Sequence, residues 1–148
     1  DLSQRQDLAS NDAALVASVF NNLGYTEWKL GWRDQARGSL NAAMELALRT
    51  GEKHTYAAAL GNFALVERSV GKLEMAIDLL RQLGAQRHLE EFSALYRELL
   101  QTLLLEARTA GRVDEVVLYT SKLAVQSEQP AGAGRGDSLE TRSAAGRV

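Results

Sequence analysis

The chain has 148 residues, 45% of them apolar, which is enough for one sizeable buried core. Its formal net charge is −2 with no strongly basic half, which excludes the basic stripe expected of a nucleic-acid binder. Cysteine is absent, so disulfides, thiolate metal sites and cysteine nucleophiles are excluded, and a reducing, cytoplasmic setting is expected. The longest apolar runs, such as Leu103–Leu105 and Val116–Tyr119, are too short to span a bilayer. No apolar segment leads into a cleavage site, and a first residue Asp1 instead of methionine raises the expectation of a fragment.

Apolar periodicity and helix breakers predict six helices in three hairpins. The first runs from about Asp12 to Lys29, with Ser10 or Asn11 as its cap, and Leu15, Val16, Val19, Phe20 and Leu23 recur at helical spacing. Gly31 breaks it. The second begins near Asp34, whose carboxylate suits the positive end of the helix dipole. Ala36, Leu40, Ala43, Met44, Leu46 and Ala47 form its buried face, and Gly51 ends it. A third helix covers about Lys53 to Ser69 and is broken by Gly71, and a fourth covers Leu73–Leu83 up to Gly84. The fifth, Leu89 to Ala110, is the longest, and Gly111 separates it from a sixth running from Val113 to about Gln126. Residues 1–126 therefore read as one helical domain with units at roughly 11–50, 53–84 and 88–126. The segment 127–148 contains the only proline, Pro130, and is rich in glycine and serine without apolar periodicity, so a disordered tail is expected there.

Gly31, Gly71 and Gly111 stand forty residues apart, with Trp32-Arg33-Asp34-Gln35-Ala36, Lys72-Leu73-Glu74-Met75-Ala76 and Arg112-Val113-Asp114-Glu115-Val116 following in register. A fixed period of this size marks a stacked-repeat protein, and such arrays work as binding surfaces. Glycine at each corner can take the left-handed conformation that ends a helix. Gly24, Ala36, Ala43, Ala64 and Ala76 let neighbouring helices approach closely. No phosphate loop is present, because Gly71-Lys72 lacks the first glycine at the required spacing.

Leu23-Gly24, the following Ala36 and Leu40, and the glycine corner resemble a tetratricopeptide repeat, which pairs a Leu-Gly step in one helix with an Ala-x-x-x-Phe step in the next. Phe20 fills the place of the motif's tryptophan, and Leu40 that of its phenylalanine. The second unit matches through Leu60, Phe63-Ala64, Ala76 and Leu80. The third is degenerate, with Leu103-Leu104, Val116 and Thr120. The forty-residue period exceeds the usual thirty-four or so, and no proline closes a unit. Forty-residue units with longer helices resemble the variant repeats in sensor domains of bacterial transcription activators and peptide-responsive regulators. The resemblance implies an all-α, right-handed superhelical stack of three antiparallel helix hairpins, acting as a protein- or peptide-binding scaffold without catalysis or cofactor. The alternative function is a ligand-sensing regulatory domain of a larger signalling or transcription-regulator protein.

In this family the first helix of each hairpin lines the concave face. The resemblance thus implies Asn21, Asn22, Tyr25, Trp28 and Lys29 as ligand contacts in the first unit. Asn62, Leu65 and Arg68 follow in the second, and Gln101, Leu105 and Arg108 in the third. Trp28, Arg68 and Arg108 each precede their glycine by three residues, so stacking is expected to bring them into one row. An aromatic with two arginines suits a carboxylate-bearing peptide, because arginine presents a planar fork of donors. The competing account has the arginines solvated or paired with Glu67 or Glu106, and Trp28 packed on Tyr25 or the next hairpin. Asn21 stands where the carboxylate clamp of chaperone-binding members has a lysine, so binding to a chaperone C-terminus is not expected.

Other constellations carry little chemistry. His54 and His88 lack metal-ligand spacing. Glu90-Glu91 and Asp114-Glu115 sit at helix starts, where the dipole favours acids. No Ser, His and Asp residues are placed together as a triad. Arg135-Gly136-Asp137 spells an integrin-recognition tripeptide, a coincidence in a tail of this composition. In the last helix, Val113, Val116, Val117, Leu118, Tyr119, Leu123 and Val125 are too widely spread for one buried face. Val113, Val117, Leu118 and Tyr119 are therefore expected to form a dimer or capping surface, with homodimerisation through the C-terminal hairpin.

Overall fold

A computed structural model describes the backbone of residues 2–128 and the side chains of residues 11–127. Six helices follow one another: α1 Leu2–Lys29, α2 Arg33–Thr50, α3 Lys53–Glu67, α4 Val70–Leu83, α5 Gln86–Ala110 and α6 Val113–Glu128. No strand occurs among the described residues. The helices fall into two compact units, one ending at Ala85 with α1–α4 and one beginning at Gln86 with α5 and α6. The all-α, hairpin-built class expected from the sequence is therefore the observed one. The expected tail lies outside the described residues from 129 onward, as does the Arg135-Gly136-Asp137 tripeptide.

Helix α5 begins at Gln86 instead of Leu89 and α6 runs to Glu128, and two further boundaries differ more from the sequence expectation. No cap stops α1 at Ser10 or Asn11, because the helix continues back to Leu2. Nothing between Leu2 and Asp12 is glycine or proline, and serine or asparagine inside a helix costs only tenths of a kcal/mol. The second correction concerns Gly71, which is not a corner. Ser69 caps α4, its side chain accepting from the Lys72 backbone N–H at 3.2 Å, so Gly71 lies in the first turn of that helix. The left-handed residue at this corner is Arg68, with φ 55°, the one non-glycine residue of positive φ among the described residues.

The five turns share one backbone pattern. At Gly31, Gly51, Arg68, Gly84 and Gly111 the amide bonds the carbonyl three residues back, and the next amide bonds the carbonyl four before the turn residue. This is the Schellman arrangement, which satisfies the last carbonyls of a helix without a side-chain cap. Within the first unit, equivalent turns recur at Gly31 and Arg68, and at Gly51 and Gly84.

In the first unit α1 packs on α2, α2 on α3 and α3 on α4, and α1 also meets α3. Every residue of α3 from Ala57 to Val66 is buried, as expected of a helix apolar nearly all round. Ala36, Leu40, Phe63 and Val66 form a cluster to which Trp28 and Met44 add partly buried faces. Burying a leucine as fully as Leu40 contributes about 1.5–3 kcal/mol. The approach of α1 to α2 depends on Gly24, where an added Cβ would stand 2.5 Å from Leu40 Cγ.

The inward residues of α1 are small, with Ala17 and Gly24 buried, while Leu15, Val16, Val19 and Leu23 are 64%, 42%, 56% and 43% exposed. The helical spacing of those four marked the helix correctly, but they point outward. A polar seam joins α2 to the end of α3. The Arg37 Nε donates to Glu67 Oε2, Arg37 also pairs with Asp34 at 3.0 Å, and Arg33 donates to the Val66 carbonyl at 2.6 Å.

In the second unit α5 buries Leu89, Phe92, Ser93, Tyr96, Leu99, Leu100, Leu104 and Ala107 along one helical stripe. No residue of α6 is fully buried among the described ones. Gln126 reaches back to donate to the Ser93 carbonyl at 3.2 Å.

Candidate functional site

The first helices of the two hairpins in the first unit, α1 and α3, meet through an amide pair. Asn62 Nδ2 donates to Asn21 Oδ1 at 3.0 Å across 41 positions of sequence. Asn62 is buried, and an amide in such a place costs about 1–3 kcal/mol if left without a partner, so the pair fixes the orientation of both side chains. Asn21 is half-buried and remains reachable from solvent.

One turn further along α1, Tyr25 and Trp28 are tilted 56° to each other at a centroid separation of 6.0 Å. Lys29 Nζ lies 5.3 Å from the Trp28 ring centroid and 5.9 Å from that of Tyr25. An ammonium over aromatic faces gains about 0.5–1 kcal/mol at exposed sites. Tyr25 and Lys29 are exposed, whereas Trp28 is half-buried against the cluster of Ala36, Leu40, Phe63 and Val66. Trp28 thus performs the packing role the competing account gave it. Asn22 is exposed, and its backbone carbonyl accepts from Thr26 Oγ1 at 3.0 Å.

The expected row of Trp28, Arg68 and Arg108 does not follow from backbone equivalence. Trp28 and Arg108 each stand three residues before a left-handed turn residue, and in the second hairpin that place belongs to Leu65. Arg68 is itself the turn residue, and it is exposed, while Leu65 is buried. The displacement has a simple cause: the forty-residue spacing was anchored on Gly71, and the chain turns three residues earlier. Glu67 is engaged by Arg37.

That engagement shifts both groups. The hydrogen bond from Arg37 is the main influence holding the Glu67 carboxyl below the usual glutamate range; burial opposes it, and the charges of Arg37, Lys72 and Arg33 add to the lowering. The Arg37 guanidinium is raised in turn, chiefly by the same bond and the Glu67 charge.

In the second unit, Gln101, Leu105 and Arg108 are exposed on α5. On α6, Val113, Val117 and Leu118 are 69%, 60% and 48% exposed, and Tyr119 is half-buried. Among the described residues no group of three or more His, Asp and Glu side chains could hold a metal ion. His54 is exposed, and His88 lies 3.5 Å from Glu91 on the surface of α5. No described helix is long and apolar enough to cross a membrane.

Short antiparallel helix pairs, Schellman turns and small residues at the helix contacts define an α-helical hairpin-repeat protein. Residues 15–83, which lie within α1–α4, match the model of the tetratricopeptide repeat family, and this segment is similar to such repeats. Such repeats generally mediate protein–protein interactions and typically act as scaffolds without catalysis. Comparison with curated proteins and with solved structures returned no match.

Proposed function

We propose that the chain is a protein- or peptide-binding scaffold whose principal contact surface is the α1–α3 face of the first unit. The observation that carries this reading is the Asn21–Asn62 pair, which holds a buried amide and a reachable one beside the Tyr25–Trp28–Lys29 group. An orientated amide suits the backbone of an extended peptide, and Tyr25 offers an aromatic surface. Lys29 and Arg68 supply positive charge for a carboxylate-bearing ligand. Asn22 is a further candidate contact there, while Asn62, Leu65 and Trp28 support the surface from below; in the second unit, taken by itself, Gln101 and Arg108 are candidate contacts. The exposed α6 residues Val113, Val117 and Leu118, with Tyr119, form a second candidate surface for a capping partner or another copy of the chain.

The experiment is fluorescence anisotropy with labelled peptides that end in acidic residues, each compared with its C-terminal amide. Lys29→Ala and Arg68→Ala should each weaken binding about two- to fivefold, the scale of exposed charge pairs, with the unfolding midpoint held within a degree or so. Equal affinity for acid and amide, together with unchanged affinity in both variants, would remove this surface as the site. A second reading, a ligand-sensing regulatory domain of a larger regulator, is favoured by a cavity at the start of α3.

A further inference from the structure

A cavity of about 530 Å³ lies in the first unit where the ends of α2 and α4 flank the start of α3. Its wall is apolar, formed by Ala47 and Leu48 of α2, Tyr56 of α3, and Leu79 and Leu83 of α4. Ala47 is a fully buried floor, whereas Leu48 is 64% exposed at the mouth. Gly51 leaves one side open, because even an added Cβ there would meet nothing within 4 Å. The volume falls within the roughly 300–1,000 Å³ of small-molecule sites, which combine apolar walls with a few polar groups. Asn62 of the α1–α3 face lies six residues beyond Tyr56, about 9 Å further along α3.

The rim decides the chemistry. Glu52 and Lys53 are consecutive, both exposed, and both line the cavity, with the Gln82 amide also on its lining. Neither charge makes a side-chain bond among the described residues. A purely anionic ligand would gain from Lys53 and be repelled by Glu52, and a purely cationic one the reverse. A ligand carrying both charges gains from both.

We propose that this cavity binds a small zwitterionic amphiphile, with its apolar body against Leu48, Tyr56, Leu79 and Leu83, its ammonium at Glu52 and its carboxylate at Lys53. A short hydrophobic peptide with free ends is the simplest molecule of this class. The site is separate from the α1–α3 face and does not rest on it.

The test is isothermal titration of the whole chain with the dipeptide phenylalanyl-leucine. Saturable binding at one site per chain is expected, and N-acetylation with C-amidation of the dipeptide should weaken it severalfold. Gln82→Trp, at an exposed position on the rim, should obstruct the mouth and cost about tenfold or more in affinity, the scale of a displaced apolar contact. Glu52→Gln and Lys53→Gln should each cost about two- to fivefold. Leu79→Trp should fill the cavity from within, and circular dichroism identifies whether that variant folds; if it does not, Gln82→Trp decides alone. No binding heat up to about 10 mM would overturn the proposal. So would affinity unchanged in Gln82→Trp and in the Glu52→Gln/Lys53→Gln pair, or affinity lost in Lys29→Ala but kept in Gln82→Trp, which puts the dipeptide on the α1–α3 face.

Discussion

Arg68 holds the left-handed turn position in the second hairpin that Gly31 holds in the first, with φ 55° against 83°. For a side chain with a Cβ this conformation costs roughly 1–2 kcal/mol, which glycine escapes. Glycine gives back part of that through the greater freedom of the unfolded chain. Arg68→Gly should therefore stabilise the protein by about 0.5–1 kcal/mol, read from the urea midpoint. Gly31→Ala should lower stability by about 1 kcal/mol from backbone strain alone, since open space surrounds the new methyl group.

Gly24→Ala is a harsher change at a position of ordinary helical backbone. The added Cβ would stand 2.5 Å from Leu40 Cγ and 2.6 Å from Leu40 Cδ2, and Leu40 is fully buried with no free volume to enter. Helix α1 must move away from α2, at about 1–3 kcal/mol. Thermal unfolding checks the loss, and Leu40→Ala should cost less in the Gly24→Ala background than in the native chain, because there it also vacates the clash.

The Arg37–Glu67 contact predicts a direction in pH. The Glu67 carboxyl titrates below its ordinary range in the folded chain, so its contribution is complete above the unfolded value and is lost as pH falls through the folded one. Urea midpoints measured from neutral to acid pH should fall in that range, and Glu67→Gln should flatten part of the slope. High salt should leave Glu67→Gln less affected than the native chain, because exposed pairs are screened.

Self-association through α6 is tested by sedimentation velocity. With Val113, Val117 and Leu118 facing solvent in the isolated chain, the sedimentation coefficient should rise with concentration, and Val117→Lys should abolish the rise. A native chain that stays monomeric at high micromolar concentration would exclude a dimer through this surface.

Much of the fold was legible in the sequence because four of the five turns use glycine, and because small residues at Gly24, Ala36, Ala43, Ala64 and Ala76 mark close helix contacts. Arg68 was not legible as a turn, since a cost near 1 kcal/mol leaves no trace in composition and Gly71 nearby offered a better-looking candidate. That single displacement also misaligned the expected row of Trp28, Arg68 and Arg108. The inward face of the first helix was not legible either. Leu15, Val19 and Leu23 gave the right period, but hydrophobic spacing alone does not say which face turns inward when glycine and alanine occupy the other. The Asn21–Asn62 pair links residues 41 apart, and nothing in either neighbourhood announces it. The α2–α4 cavity likewise arises from three helix ends that only the fold brings together.

Every turn bond described above spans five residues or fewer, and the Gly24–Leu40 contact that locks the first hairpin spans only sixteen. Structure of this kind closes short loops before long ones, so each hairpin can gain its shape while the rest of the chain is still open. Folding of α1–α4 should accordingly be fast and sequential, with neighbouring hairpins adding stability step by step. The α1–α2 hairpin can then take shape while the later helices are still being made.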